Sequence, residues 1–196
     1  MIRALFKFVK PPDIPHQIVD TTSGNGSFCE LSPFVLTAPP ANRFENLWQF
    51  SKVYQKHIGK DGLPNADWWQ WRDWGFAQTK AYRYPMGKGT IPEYSYWRGE
   101  KLDYIGARKK IYAPIYAENV SKTDSYKRLQ ELDRVCSEIG EDLILLDYDA
   151  YDHRSFGMSL IDVINNPKRK MGHAFVLMMM LTDMLEECVI PTEVKE

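Results

Sequence analysis

The chain lacks the features that mark secreted and membrane proteins. Its three cysteines, Cys29, Cys136 and Cys188, are odd in number and widely spaced, which argues against a disulfide framework and against a Cys/His zinc site. The longest apolar run, residues 174–181, is far shorter than the roughly 20 residues that span a bilayer. Basic residues interrupt the apolar stretch at the N-terminus, unlike in a signal peptide. We therefore expect a cytoplasmic protein with no membrane partner.

Strong net charge and clustered metal ligands are also missing. The formal net charge is −1, so no overall basic field attracts nucleic acid, although the sequence stays compatible with a local basic patch. The four histidines are dispersed, and no pair has the spacing of metal ligands on a helix. We expect neither a metal nor a cofactor. His153, next to Asp152, is the one histidine that we consider for acid–base chemistry.

The sequence that remains is typical of one globular α+β domain over residues 1–196, predominantly helical with a few short strands. Hydrophobic residues make up 44% and charged residues 26% of the chain, which argues against disorder. Periodicity and turn residues predict strands at 2–9, 31–36 and 143–146, and helices at 42–57, 102–120 and 166–188, with a further helix between a capping motif at 121–124 and Gly140. Pro114 is expected to kink or split the second of these helices.

Residues 59–99 form a segment of different composition, which we call the Trp-rich segment. It holds five of the six tryptophans, and prolines and glycines make its second half loop-like. We interpret it as an insertion or lid within the domain. Its dense run of tryptophans, Trp68, Trp69, Trp71 and Trp74, is typical of a packed core. The basic residues near that run also fit a surface on which nucleic-acid bases stack.

A polar stripe runs along the predicted helix 42–57, opposite an apolar face. Glu45 and Lys52 are two helical turns apart on it, roughly 10 Å along the axis, with Gln49 between them. This gap is too wide for a direct ion pair but suits two groups that bracket a ribose. The alternative is an ordinary solvent-exposed helix face.

This stripe carries a resemblance to a known family. The octapeptide ENLWQFSK at 45–52 resembles the pattern E-H-Y-F-Q-x-x-K of the NADAR (YbiA-like) family, and SPF at 32–34 resembles its S-N-F element. Further on, LLD at 145–147, Asp152 and FG at 156–157 resemble the family's L-v-E and D-x-x-W-G elements, and the last helix resembles its closing helix. The likeness covers roughly two thirds of the chain in the same order. Asn46, Asp147 and Phe156 depart from the pattern, and the Trp-rich segment has no counterpart in it.

The resemblance implies an N-glycosidase that cleaves a bond between ribose and a base nitrogen. The implied substrates are a nucleobase that carries ADP-ribose, guanine in particular, and a phosphoribosylated pyrimidine intermediate. Cleavage builds positive charge on the anomeric carbon, which a carboxylate stabilises or which water attacks with the help of that carboxylate. An amine of lowered pKa instead attacks the carbon and forms an imine with the opened sugar.

The resemblance and the residue chemistry together define a candidate site. Phe44 and Trp48 suit stacking on a base, and Arg43 and Arg108 suit contacts with phosphate. The candidate catalytic residues are Glu45, Lys52, Asp147 and Asp152. The candidate substrate-binding residues are Ser32, Phe34, Arg43, Phe44, Trp48, Gln49, Arg108, Phe156 and Gly157.

A second interpretation of the sequence is a protein without catalytic activity. The three departures from the family pattern favour a module that binds a nucleotide or nucleic acid in the same pocket or on the Trp-rich segment. A small inhibitor of the kind that phages encode, acting through its aromatic surface, is a third interpretation.

Overall fold

The computed structural model describes residues 1–190 as an α+β fold. The strands are β1 (Ile2–Phe6), β2 (His16–Asp20), β3 (Lys52–Val53), β4 (Tyr94–Trp97), β5 (Glu100–Leu102) and β6 (Asp142–Asp147). The helices are α1 (Phe44–Phe50), α2 (Ala66–Ala77), α3 (Tyr104–Ala107), α4 (Ala113–Val120), α5 (Asp124–Ile139), α6 (Leu160–Asn165), α7 (His173–Leu181) and α8 (Leu185–Val189). Helical residues outnumber strand residues, as the sequence predicts.

A parallel sheet of order β1-β6-β2 lies at the centre of the fold. Its middle strand, β6, carries three leucine and isoleucine residues, Leu143, Ile144 and Leu145, that are fully buried, which confirms the strand predicted at 143–146. The apolar helix α7 packs against β1 and β6. Because the strands are parallel, their carboxyl ends meet at one edge of the sheet, where polar groups that follow buried strands come together. Asp147 ends β6 at that edge, and Thr21 follows β2 there.

The Trp-rich segment is built into the fold through α2 and β4. Its strand β4 pairs with both β3 and β5 in an antiparallel sheet. Trp68 is fully buried, and its indole N–H donates to the Lys52 carbonyl at 2.9 Å. Helix α2 approaches α1 so closely that a Cβ at Gly75 would lie 2.1 Å from the Phe50 ring. Trp68 therefore has the packing role predicted for the run, whereas Trp69 and Trp74 are 39% and 50% exposed.

The helix predicted at 42–57 is much shorter in the structure. It ends at Phe50, and the next residues turn into β3. The Ser51 hydroxyl donates to the Leu47 carbonyl, and the backbone carbonyls of Ser51 and Val53 accept from residues next to or within β4. Pairing with β4 thus overrides the helical periodicity of the sequence, and Lys52 lies on a strand rather than on the second turn of a helix.

The helix predicted at 102–120 changes its backbone bonding just before Pro114, which lies in the first turn of α4. The chain passes from α3 through a π-helical turn, Arg108–Tyr112, into α4 without a break. Proline supplies no N–H and crowds the carbonyl four residues earlier, so it fits where the backbone bonding changes from π to α. The predicted start is wrong, because residues 100–102 form β5.

Two further predicted elements differ from the structure. Residues 31–36 form 3₁₀-type and tight turns around Ser32 instead of a strand. The last helix starts at His173 rather than at Asn166, since the backbone of 166–169 is held as a loop, and it is interrupted after Leu181 before α8 begins. The helix before Gly140 is confirmed as α5: Thr123 caps its start by accepting from the Tyr126 N–H, and Gly140 ends it with φ +75°.

Candidate active site

A cavity of about 930 Å³ opens where the carboxyl edge of the parallel sheet meets α1 and the antiparallel sheet. Its wall includes Asp147 and His173 at the sheet edge, together with the polar face of α1 and Lys52. Residues 83–95 of the Trp-rich segment supply much of the remaining wall. The predicted lid segment therefore borders the cavity through its loop-like half, while its tryptophans lie elsewhere.

Three polar side chains in the cavity wall form a hydrogen-bonded chain. The Lys52 Nζ donates to Gln49 Oε1 at 2.8 Å, and Gln49 Nε2 donates to Glu45 Oε1 at 2.9 Å. The Lys52 Nζ also lies 4.9 Å from the centre of the Trp48 ring. Glu45 is only 7% exposed, so the stripe read from the sequence is not a solvated helix face. Because the Gln49 amide bonds to both groups, it fixes the position of the Glu45 carboxylate relative to the Lys52 amine.

Burial favours the uncharged forms of Glu45 and Lys52, the two ends of this hydrogen-bonded series. It raises the pKa of Glu45 above its ordinary value, although the Gln49 hydrogen bond and the Lys52 charge act in the opposite direction. Burial also lowers the pKa of Lys52 to about 8, although the Glu45 carboxylate opposes this shift. A carboxyl of raised pKa and an amine of lowered pKa that face one cavity are typical of acid–base or nucleophilic chemistry.

Asp147 forms a buried ion pair with His173 at the edge of the parallel sheet. His173 Nδ1 lies 3.0 Å from Asp147 Oδ2, and Nε2 lies 2.7 Å from Thr21 Oγ1 and 2.9 Å from the Thr21 carbonyl. The Thr21 hydroxyl donates to the Leu146 carbonyl, so it accepts from His173. Both ring nitrogens therefore face acceptors, and the imidazole carries two protons.

This ion pair moves both pKa values away from their usual ranges. Burial acts to raise the pKa of Asp147, but the charge and hydrogen bond of His173 and the backbone N–H groups of Ala174 and Asp149 lower it to about 2. Burial acts to lower the pKa of His173, but Asp147 raises it. A Cβ at Gly172 would lie 2.0 Å from Asp147 Oδ2, which explains the glycine before α7. Asp147 is thus a fixed anion rather than a base that exchanges protons.

Eight of the predicted site residues line the cavity. They are Ser32, Phe34, Glu45, Trp48, Gln49, Lys52, Arg108 and Asp147. Arg108, predicted to contact phosphate, has a structural role instead. It is 1% exposed, and its terminal nitrogens donate to the carbonyls of Asn166 at 2.8 Å and Arg169 at 2.5 Å and to the Tyr104 hydroxyl at 2.8 Å. These bonds hold the loop before α7 in place.

Two predicted charged residues lie outside the cavity wall. Asp152, predicted to be catalytic, lies 3.7 Å from Arg3 in a partly exposed ion pair. Arg43, predicted to contact phosphate, donates to the carbonyl of its neighbour Asn42 at 2.9 Å and lines no part of the cavity. His153 is buried against Phe175 and does not line the cavity either.

Three predicted substrate-binding residues also lie outside the wall. Phe44 is fully buried in the core, edge-on to Tyr112 and Tyr116, so it cannot stack on a base. Phe156 is 54% exposed, and Arg169 lies over its ring at 3.9 Å. Gly157 has φ +66° and ends the 3₁₀ turn that carries Phe156. The sequence pattern alone gave no indication that these three residues would lie outside the cavity wall.

Several cavity residues were not found from the sequence as parts of a site. Three half-exposed tyrosines, Tyr84, Tyr104 and Tyr148, surround the mouth of the cavity together with Phe34, which the sequence did predict. Arg83 lies 3.3 Å from Asp149, and Lys170 lies 3.8 Å from the same carboxylate. His173 and Tyr112 complete the inner wall. A lone histidine at the head of an otherwise apolar helix was the one available signal for His173.

Comparisons with known proteins do not assign the chain to a family. No protein-family model matches the chain, and neither the curated proteins nor the solved structures include a match. Within residues 1–190, no helix is long and apolar enough to cross a membrane. The same residues contain no group of three or more His, Cys, Asp or Glu side chains that could hold a metal ion.

Proposed function

We propose that the protein hydrolyses an N-glycosidic bond between a ribosyl group and a nucleobase. The observation that carries this proposal is the buried chain of Glu45, Gln49 and Lys52 in the wall of a cavity with an aromatic mouth. Its volume of about 930 Å³ falls in the range of sites that enclose a nucleotide-sized ligand. The NADAR-like motif at 45–52 supports the same chemistry by resemblance.

In the proposed reaction, Glu45 acts on the water that attacks the anomeric carbon. A bond forms between the water oxygen and that carbon, and Glu45 accepts the proton that the water loses. The carbon–nitrogen bond breaks, its electron pair stays on the base nitrogen, and the proton that Glu45 took from the water passes to that nitrogen through solvent, which restores the carboxylate. The products are a sugar with a free anomeric hydroxyl and the free base. The raised pKa of Glu45 makes it a stronger base than an exposed carboxylate.

The other cavity residues suit the remaining parts of such a substrate. Trp48 and the aromatic mouth offer faces on which a base can stack. Arg83 and Lys170 place two cations at the mouth, where phosphate groups of a nucleotide can bind. The Asp147–His173 pair keeps the sheet edge and the start of α7 in place beside the sugar.

The proposal is tested by the release of free base from a small panel of substrates. The purified protein is incubated with an oligonucleotide that carries ADP-ribose on guanine and with phosphoribosylated pyrimidine compounds, and released products are identified by mass spectrometry. We expect catalytic release from at least one of them. Binding without release would identify a non-catalytic nucleotide-binding module, and neither binding nor release would contradict both interpretations.

The pH dependence of turnover should reveal the role of Lys52. If Lys52 acts as an ammonium group, kcat falls as the pH rises through about 8, the pKa of this side chain. On the acid side, kcat falls as Glu45 is protonated, and this limb lies above the usual carboxyl range because the pKa of Glu45 is raised. The measurement is a pH–rate profile for the wild type and for Lys52→Arg, whose guanidinium keeps its charge and should lose the alkaline limb.

The opposite profile would reassign Lys52. An increase of kcat through pH 8 would mean that the neutral amine attacks the anomeric carbon. In that case Lys52→Arg would be inactive at every pH, because an arginine cannot form the imine.

A further inference from the structure

Tyr112 lies in the inner wall of the cavity at the end of the π-helical turn. Its ring is edge-on to Phe44, with centroids 5.2 Å apart, and edge-on to Trp48, with centroids 5.0 Å apart. Both partners belong to α1, the helix that carries Glu45. The position of the phenol is therefore fixed relative to that carboxylate, and π turns of this kind are frequent at functional sites.

The Tyr112 hydroxyl has no hydrogen-bond partner within residues 1–190, although the residue is only 7% exposed. Tyr116, one turn further along, differs in this respect: its hydroxyl donates to the Leu31 carbonyl at 2.5 Å. The hydroxyl is not among the fully enclosed polar atoms that lack a partner, so it reaches the open space of the cavity, where water or a ligand can bond to it. A hydroxyl that faces a cavity without a protein partner is free to bind a ligand atom.

Tyr112 keeps its proton over the whole working range of the protein. Burial, and after it the negative charges of Asp147 and Glu45, raise the pKa of Tyr112 well above its usual value. The phenol therefore acts as a hydrogen-bond donor and never as an anion. It is a neutral donor in the same wall as the carboxylates of Glu45 and Asp147.

We infer that Tyr112 is a catalytic residue that donates a hydrogen bond to the departing nucleobase. This inference rests on the proposed glycosidase function. Tyr112 contacts Trp48, so a base that stacks on Trp48 brings its polar edge beside the phenol. As the carbon–nitrogen bond breaks, its electron pair collects on the base, and a fixed donor aimed at that charge lowers the barrier. The phenol keeps its proton throughout, so the proton transfers described for the hydrolysis stay the same.

The test compares two leaving groups on the same sugar in Tyr112→Phe. For the substrate that carries a nucleobase, kcat should fall roughly 10²–10³-fold while KM changes little, because the donor is used only as the bond breaks. For the p-nitrophenyl glycoside of that sugar, kcat should stay close to the wild-type value, because p-nitrophenolate leaves without a donor. A side chain with only a packing role would lower both rates equally, and that result would overturn the inference.

Tyr116→Phe is the matched control, since it removes a hydroxyl from the core one turn away. It should lower Tm by removing the bond to Leu31 and should leave both rates unchanged. Wild-type protein that releases no base and cleaves no p-nitrophenyl glycoside would contradict the glycosidase proposal itself. Active wild type with an equally active Tyr112→Phe would contradict only the role of Tyr112.

Discussion

Replacing Glu45 by glutamine is expected to lower kcat by roughly 10²–10⁴-fold, the contribution typical of a positioned general base. The substitution keeps the shape of the side chain, and its amide oxygen can still accept from Gln49, so the fold should remain. Because burial disfavours the charged form of Glu45, the free energy of unfolding at neutral pH should be unchanged or higher. Loss of activity without loss of stability is typical of a residue that serves function at the expense of the fold.

The measurement pairs steady-state kinetics with urea denaturation of the same preparation. Glu93→Gln is the matched control, since Glu93 also lines the cavity but is exposed on the loop side of it. Its kcat should stay within the same order of magnitude as that of the wild type. Full activity in Glu45→Gln would disprove the assignment of the base, and equal losses in both variants would mean that the overall charge of the cavity matters rather than one carboxylate.

Replacing Asp147 by asparagine should destabilise the fold by about 3 kcal/mol, the lower end of the range for breaking a buried ion pair. The variant loses the counter-ion of His173 and weakens the bond to the Ala174 N–H at the start of α7. The lower end applies because the imidazole can lose its extra proton and become neutral. Urea denaturation of the variant and the wild type gives the difference directly.

The pH dependence of that difference follows from the two shifted pKa values. Asp147 has a folded-state pKa of about 2, so its contribution is complete above the usual carboxyl pKa of about 4 and is lost as the pH falls toward 2. His173 has a raised pKa, so its contribution is complete below about 6.5 and is lost as the pH rises through the folded-state value. The difference in unfolding free energy should therefore be largest near pH 5 and smaller at pH 9.

Asp152→Asn is the control for this prediction. Asp152 also follows β6, but it forms a partly exposed ion pair with Arg3, and such pairs contribute less than about 1 kcal/mol. A difference for Asp147→Asn that is as small as the one for Asp152→Asn, or that does not vary with pH, would show that His173 is not held as a cation.

The parts of the fold that the sequence predicted correctly depend on local signals. The caps of α5, Thr123 and Gly140, are readable because their partners lie within a few residues, and β6 is readable from its own run of consecutive apolar residues. The early end of α1 was not readable, because it depends on pairing between β3 and β4, roughly 40 residues apart in sequence. Periodicity cannot reveal a competitor for the same backbone groups that is supplied by a distant strand.

The same distinction holds for the candidate site. Glu45, Gln49 and Lys52 are close in sequence, and their spacing on a family-like motif pointed to them together, although Lys52 was placed on the wrong element. Tyr112 and His173 come from distant helices and have no motif of their own. Asp152, Arg43 and Phe156 were included because of sequence proximity or family position, and none of them lines the cavity.

The two-residue strand β3 has a consequence for how chains of this kind are compared. Lys52 is kept in position by β4 on one side and by the Trp68 indole on its own carbonyl, and both belong to the Trp-rich segment. A homologue that joined the flanks of that segment directly would have neither support. A lysine aligned with Lys52 in such a chain would be the same residue type in a different backbone position. Whether two such lysines are structurally equivalent therefore has to be judged from strand pairing rather than from the sequence motif.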